Sequence, residues 1–245
     1  MNASLLLLLA VCILAVAILY SCVGHGGASG YIAILALFSL APAAFKPTAL
    51  VLNILVSAAA TFYFARAGYF SWHLFWPFAA TSIPFSFLGG YLSLPTPVYQ
   101  PLVGIVLLAS AYRLFPRKDR EAAEVLRPST TVALFVGAVL GFLSGLTGVG
   151  GGIFLSPLLL LLKWARVKEV SAVAALFILV NSIAGLLGHV GSLQAIPHYV
   201  PILAVAALGG GITGSFFGSS RIPASSIVKA LSVVLIVAGF KLLLV

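Results

Sequence analysis

Apolar residues arrive in long unbroken blocks along this chain, and polar residues are confined to the short gaps between them. The pattern predicts helices throughout. Two apolar arms, at about 4–22 and 29–42, flank a glycine-rich break that reads Ser21-Cys-Val-Gly-His-Gly-Gly-Ala-Ser-Gly30. Three spans follow at about 47–66, 72–93 and 97–115, and then a charged connector from Phe115 to Arg127. The order then repeats. Arms at 131–146 and 152–162 flank a second break, Ser144-Gly-Leu-Thr-Gly-Val-Gly-Gly-Gly152, and spans follow at about 168–188, 197–218 and 223–244. Blocks of roughly 20 apolar residues cross a bilayer as helix. The expected fold class is therefore an all-α polytopic membrane protein.

Composition sharpens this. Of 245 residues, 62% are hydrophobic and 7% charged, with mean hydropathy +1.21, whereas a soluble domain carries about a quarter charged residues. The run from Leu5 to Tyr20 continues into the first break, so it reads as part of the mature fold and not as a cleaved leader. The net charge of +9 does not form a basic domain; its cations punctuate the gaps, as topology signals do, which argues against nucleic acid as a partner.

The two halves align with an offset near 123: Ser21 against Ser144, Gly27 against Gly150, Thr48 against Ser171, Gly68 against Gly191. The expected organisation is a first repeat at 1–115, a cytoplasmic linker at 116–130 and a second repeat at 131–245. An arm of eleven residues, 152–162, covers only ~16 Å as helix, about half of a ~30 Å hydrocarbon core. Each arm pair is accordingly expected to be a re-entrant hairpin turning near the midplane, which leaves three full crossings per half and makes the repeats inverted. Positive charge agrees. With the connector in the cytoplasm, eleven of the thirteen cations fall inside, and Lys46, Lys241 and both termini fall outside. Parallel halves would put Lys163, Arg166, Lys168 and Arg221 outside, against that tendency. Tyr69, Phe70, Trp72, Trp76 and Trp164 mark the interfaces.

Glycines cost helix stability but permit unusual backbone, and a membrane tolerates unwound backbone only inside protein or beside a water-filled cavity. Interrupted segments at matching places in two halves point to a transporter's binding site. Each second arm would begin near the midplane with free N–H groups and a partial positive charge, so two opposed starts would attract an anion. The candidate substrate-binding residues are Ser21, Gly24, His25, Gly26, Gly27, Ser29, Asn53, Ser144, Thr147, Gly150, Gly151, Gly152 and Asn181. His25 is also the candidate proton carrier, since imidazole titrates near neutrality. Structural readings stand beside each of these: small residues allow close helix packing, asparagines bond between helices, and a buried histidine can hold a backbone carbonyl.

The four carboxylates, Asp119, Glu121, Glu124 and Glu169, all fall in expected cytoplasmic loops. A buried cationic substrate would lack a counter-ion; a negative one suits the helix starts. Cys12 and Cys22 give no disulfide framework and no zinc spacing, and Cys22 reads either as a small hydrophobe or as a thiolate beside the break. No P-loop, dinucleotide fingerprint or nucleophile elbow occurs. No metal, cofactor or catalytic residue is expected, and an enzyme is the weakest class.

At its breaks the sequence resembles the sulfite exporter TauE/SafE family of small bacterial anion transporters. The resemblance rests on Gly141-Phe-Leu-Ser-Gly-Leu-Thr-Gly-Val-Gly-Gly-Gly-Ile-Phe-Leu-Ser-Pro157, on Gly24-His-Gly-Gly-Ala-Ser-Gly30, and on the Lys46-Pro-Thr-Ala and Val170-Ser-Ala-Val stretches. It covers nearly the whole chain, and departs at His25 and at the alanine-serine pair of the first break. It implies movement of sulfur-containing anions. The expected function is thus transport of a small anion, sulfite or a small organosulfonate, by alternating access in the cell's inner membrane. A passive anion channel and a non-transporting membrane anchor are the alternatives. The lipid bilayer and the anion are the expected partners, and oligomeric state is left open.

Overall fold

A computed structural model describes residues 2–38, 44–92, 104, 105, 108, 111, 112, 125–189, 191, 194 and 196–244. Most of the expected span at 97–115, whose described residues 104, 105, 108, 111 and 112 are helical, and most of the connector, with Asp119, Glu121 and Glu124, lie outside the described residues. Among the described residues nine helices are delimited: α1 (Ala3–Ser21), α2 (Ala28–Leu37), α3 (Phe45–Arg66), α4 (Trp72–Tyr91), α5 (Thr130–Thr147), α6 (Gly152–Leu161), α7 (Val167–Gly188), α8 (Val200–Ser220) and α9 (Ala224–Leu244). Their bounds fall close to those expected, and the described residues contain no strand. Five of them, α1, α3, α5, α7 and α8, are long and apolar enough to cross a membrane. The protein is a multi-pass, all-helical membrane protein.

Glycine rows set two close helix interfaces. On α5, Gly137, Gly141 and Gly145 lie against Phe78, Ser82 and Ser86 of α4, where an added Cβ would strike backbone. On α8, Gly210, Gly214 and Gly218 lie against Leu14, Ile18 and Cys22 of α1 in the same manner. Small residues four apart remove the side-chain spacer and let backbones meet, which is how helices gain dispersion contact where lipid supplies no hydrophobic drive.

The order of these contacts gives directions. Rising numbers meet rising numbers, so α1 runs with α8, and α4 with α5. Asn181, Gly185 and Gly188 of α7 meet Ser82, Ser86 and Phe87 of α4, so α7 joins that group. Val56 meets Gly211, and Tyr63 stacks on Phe216, so α3 runs with α8. Between α3 and α7 the order reverses: Asn53 bonds Ser182, whereas Phe64 packs with Ala172 and Ala175. Hence α1, α3 and α8 point one way and α4, α5 and α7 the other. The corresponding pairs α1/α5, α3/α7 and α4/α8 are each oppositely directed.

Both arm pairs are hairpins. α2 turns back along α1, with Ser29 and Gly30 beside Tyr20 and Val16. The approach to α5 and the exit from α6 are tied by a hydrogen bond from Leu126 N–H to Lys163 carbonyl at 2.8 Å. The hairpins are lopsided, in the same sense as the unequal arms expected from the sequence. The first arms, of 19 and 18 residues, cover roughly 27 Å at 1.5 Å per residue. The returning helices have ten residues each. The glycine row of α8 follows α1 to its end, where Gly218 lies against Cys22. The turn then climbs back before α2 starts.

Candidate functional site

The backbone of each break explains the glycines. Gly150 and Gly151 both have φ +79°, a left-handed conformation that a Cβ would strain by roughly 1–2 kcal/mol per residue. Gly151 is the N-cap of α6, so the chain reverses and immediately opens a helix. In the first break Gly27, φ +96°, directly precedes α2. Space is as restrictive as dihedral angle. A side chain on Gly26 would overlap the Asn53 amide, and one on Gly150 would overlap Asn53, Ser182 and Ile178.

Asn53, fully buried in the middle of α3, is the residue on which the breaks converge. Its Oδ1 accepts from Ala28 N–H, the first residue of α2, at 3.2 Å. Its Nδ2 donates to the Val149 carbonyl in the second break at 3.3 Å and to Ser182 Oγ at 2.8 Å. One amide thus ties the start of α2 to the approach to α6. His25 makes a second link. Its Nδ1 donates to Val23 carbonyl at 3.1 Å, and the ring lies against the Gly152 backbone at the start of α6.

The other sequence-selected residues sort by location. Ser144 Oγ faces Gly151, and Ser29 bonds Tyr20 at 2.9 Å; both sit at a break. Thr147 donates to the Leu143 carbonyl one turn back, at 2.7 Å. Gly24 packs on Ser171 at the start of α7. Ser21 faces α8, reaching the Gly210 carbonyl at 3.3 Å. Asn181 turns away from the breaks and bonds Ser82 on α4 at 3.0 Å. The two asparagines are therefore not equivalent: one joins the breaks, the other joins helices.

Three residues outside the sequence-selected set belong to this region. Ser182 bonds Asn53, and Tyr31 on α2 places its phenol against Gly27. Lys46 reaches the Leu146 carbonyl at 2.6 Å beside the second break. A polar side chain one helical turn into an apolar arm, as Tyr31 is, was the available signal.

The breaks are closely packed, and two cavities lie away from them. One of about 580 Å³ is lined by Tyr69, Lys163, Arg166, Lys168 and Glu169. A neighbour of about 370 Å³ adds His73, Arg127 and Trp164. Lys168 is held there by the Ser219 carbonyl at 3.2 Å and lies 5.0 Å from the Tyr69 ring centre. These cations cluster at one end of the helix bundle, around the starts of α4 and α7.

Comparison with known proteins agrees with this architecture. The sulfite exporter TauE/SafE family model matches residues 8–242. A Sinorhizobium fredii protein named "probable membrane transporter protein y4hK" is 42% identical over 239 residues, covering 96% of this chain and 97% of its own length. A Methanocaldococcus jannaschii protein named "probable membrane transporter protein MJ0441" is 32% identical over 113 residues, covering 44% of this chain and 41% of its own. No solved structure matches the chain. With nearly its full length matched, this chain belongs to the sulfite exporter TauE/SafE family of membrane transporters.

Proposed function

We propose that this protein carries a small anion, sulfite or a small organosulfonate, across the inner membrane by alternating access between two inverted repeats. The observation that carries the reading is the meeting of both glycine breaks on Asn53. Each break opens a ten-residue helix, and N–H groups at a helix start, with their partial positive charge, bind anions without a buried cation. In the closed arrangement the Asn53 amide oxygen occupies the Ala28 N–H; as the repeats rock apart that donor turns to substrate. The opposite directions of α1/α5, α3/α7 and α4/α8 support inverted repeats, in which one bundle rocks against the other around a fixed site. The connector then lies in the cytoplasm with both termini outside, and Lys163, Arg166 and Lys168 raise the local anion concentration at the inner mouth.

Gly26, Gly27, Asn53, Ser144, Gly150, Gly151 and Gly152 form the centre of the site. His25 and Ser29 border it, whereas Ser21, Gly24, Thr147 and Asn181 support the helices around it. The test is counterflow of sulfite and sulfonates in proteoliposomes. Saturable counterflow that is lost in Asn53→Ala but kept in Ser21→Ala supports the reading. Counterflow unaffected in Asn53→Ala refutes it, and conductance of many charges per opening would identify a channel instead.

A further inference from the structure

Three buried polar side chains at the breaks have hydrogen-bonding capacity that the protein does not fill. They are Tyr31 Oη, Ser144 Oγ and His25 Nε2, on residues 0%, 1% and 2% exposed. Their places connect through the breaks: Tyr31 lies on Gly27, Gly26 and Gly150 lie on Asn53, Ser144 lies on Gly151, and His25 reaches Gly152. In the interior of a membrane protein an unpaired hydroxyl costs free energy that nearby water cannot relieve. The Tyr31 and Ser144 hydroxyls, two donors without an acceptor at one junction of two backbone breaks, point to a ligand whose own oxygens accept hydrogen bonds; His25 Nε2, with Nδ1 donating to Val23, is an acceptor in the neutral ring.

The charges around this junction are equally informative. α5, α6 and α8 contain no titratable residue, and α2 contains only Tyr31. From α1 and its end come Tyr20, bonded to Ser29, and Cys22. From α3 comes Lys46, whose ammonium is taken by the Leu146 carbonyl. Lys168 and Glu169 stand at the far start of α7. Apart from His25, the single Lys46 ammonium at the edge of the second break and His189 near it, the junction offers neutral donors among the described residues.

We infer that the paired breaks select a singly charged oxyanion, such as hydrogen sulfite or a sulfonate, with the Tyr31 hydroxyl as a binding and specificity-determining group, and exclude dianions. This rests on the anion-transport reading above. The cost of desolvating an ion rises with the square of its charge, so a dianion loses about four times as much as a monoanion of the same size. Neutral donors and helix starts can offset the smaller loss. With Lys46 as the one described cation beside the breaks, and that cation held by a backbone carbonyl, they cannot offset the larger one.

The test uses the full-length protein in proteoliposomes with radiolabelled sulfite as tracer, competed by methanesulfonate, always a monoanion, or by sulfate, a dianion at neutral pH. Methanesulfonate is expected to compete at least about tenfold better than sulfate, a difference worth ~1.4 kcal/mol. Apparent affinity for total sulfite should rise as pH falls from 8 to 6, following its hydrogen sulfite fraction, while that for methanesulfonate stays flat. His25→Gln should lower flux but keep this contrast, because the titrating group is the substrate. Tyr31→Phe should weaken methanesulfonate binding about tenfold, with thermal stability equal to or above that of the wild type. Ser144→Ala gives a second readout of the same kind. Sulfate competing as well as methanesulfonate, or sulfite affinity independent of pH, overturns the charge rule while leaving anion transport standing. Movement of none of the three anions overturns both.

Discussion

The two glycine breaks occupy equivalent places, yet they are built differently. The second is held by its own backbone: Gly148, Gly150 and Gly151 all take left-handed angles, and its length contains no ionisable side chain. The first has left-handed angles only at Gly24 and Gly27 and carries His25, whose ring fills the space towards Gly152. The second break is thus a conformational hinge specified by glycine. The first is a side-chain-bearing surface pressed against it. Asn53 is asymmetric in the same way, because it belongs to the first half and bonds into the second. On the proposed reading, the binding chemistry concentrates where the two halves differ.

Substitutions can break that contrast. Gly150→Leu should have the largest effect. It places a side chain at φ +79° onto Asn53, Ser182 and Ile178, costing roughly 3 kcal/mol or more from strain and overpacking. Abolished flux and a lowered Tm are expected. Gly27→Ala meets only the Tyr31 ring tip and should cost less; equal losses would erase the distinction between hinge and surface.

Next is Asn53→Ala, which strands the Ala28 N–H, the Val149 carbonyl and Ser182 together. About 2–4 kcal/mol of stability should be lost, along with saturable transport. Asn181→Ala should lose stability through α4 while leaving substrate affinity within about twofold of wild type. A large change in affinity there would restore the two asparagines to equivalence.

His25→Gln should come third, with transport reduced by roughly tenfold at fixed pH, as for one lost charge-assisted or well-placed hydrogen bond. Wild-type flux would reduce His25 to packing.

The smallest effect concerns His189, the C-cap of α7. Burial, reinforced by the nearby Lys46 cation, lowers its pKa below the usual histidine value, with the Gly90 backbone acting weakly in the opposite sense. The unfolded chain therefore binds a proton more readily than the folded one. Stability contributed by the neutral ring is full above about pH 6.5 and is lost as pH falls below that value. Tm measured from pH 7.5 to 5 should fall for the wild type and fall less steeply for His189→Gln.

Much of this was legible in the chain. Block hydrophobicity marked every helix because length and apolarity alone decide what a bilayer accepts. The break positions followed from glycine clusters, which helices do not otherwise accumulate. The Gly137/Gly141/Gly145 and Gly210/Gly214/Gly218 rows were also visible as four-residue spacings, but not which helix each would meet. The partition of Asn53 from Asn181 was hidden, since both sit mid-span with identical chemistry and differ only in the neighbour they face. Tyr31 was overlooked because an aromatic in an apolar arm looks like lipid-facing bulk until its hydroxyl is found buried.

The sequence by itself determined a multi-pass helical protein with two interrupted hairpins, because the cost of burying charge and unpaired backbone in hydrocarbon leaves few other outcomes. Only the tertiary structure decided that the breaks of the two hairpins touch, and that Asn53 rather than Asn181 joins them. Those facts depend on which helix faces pack together, and contact between residues far apart in the chain is set by the shapes of two surfaces at once.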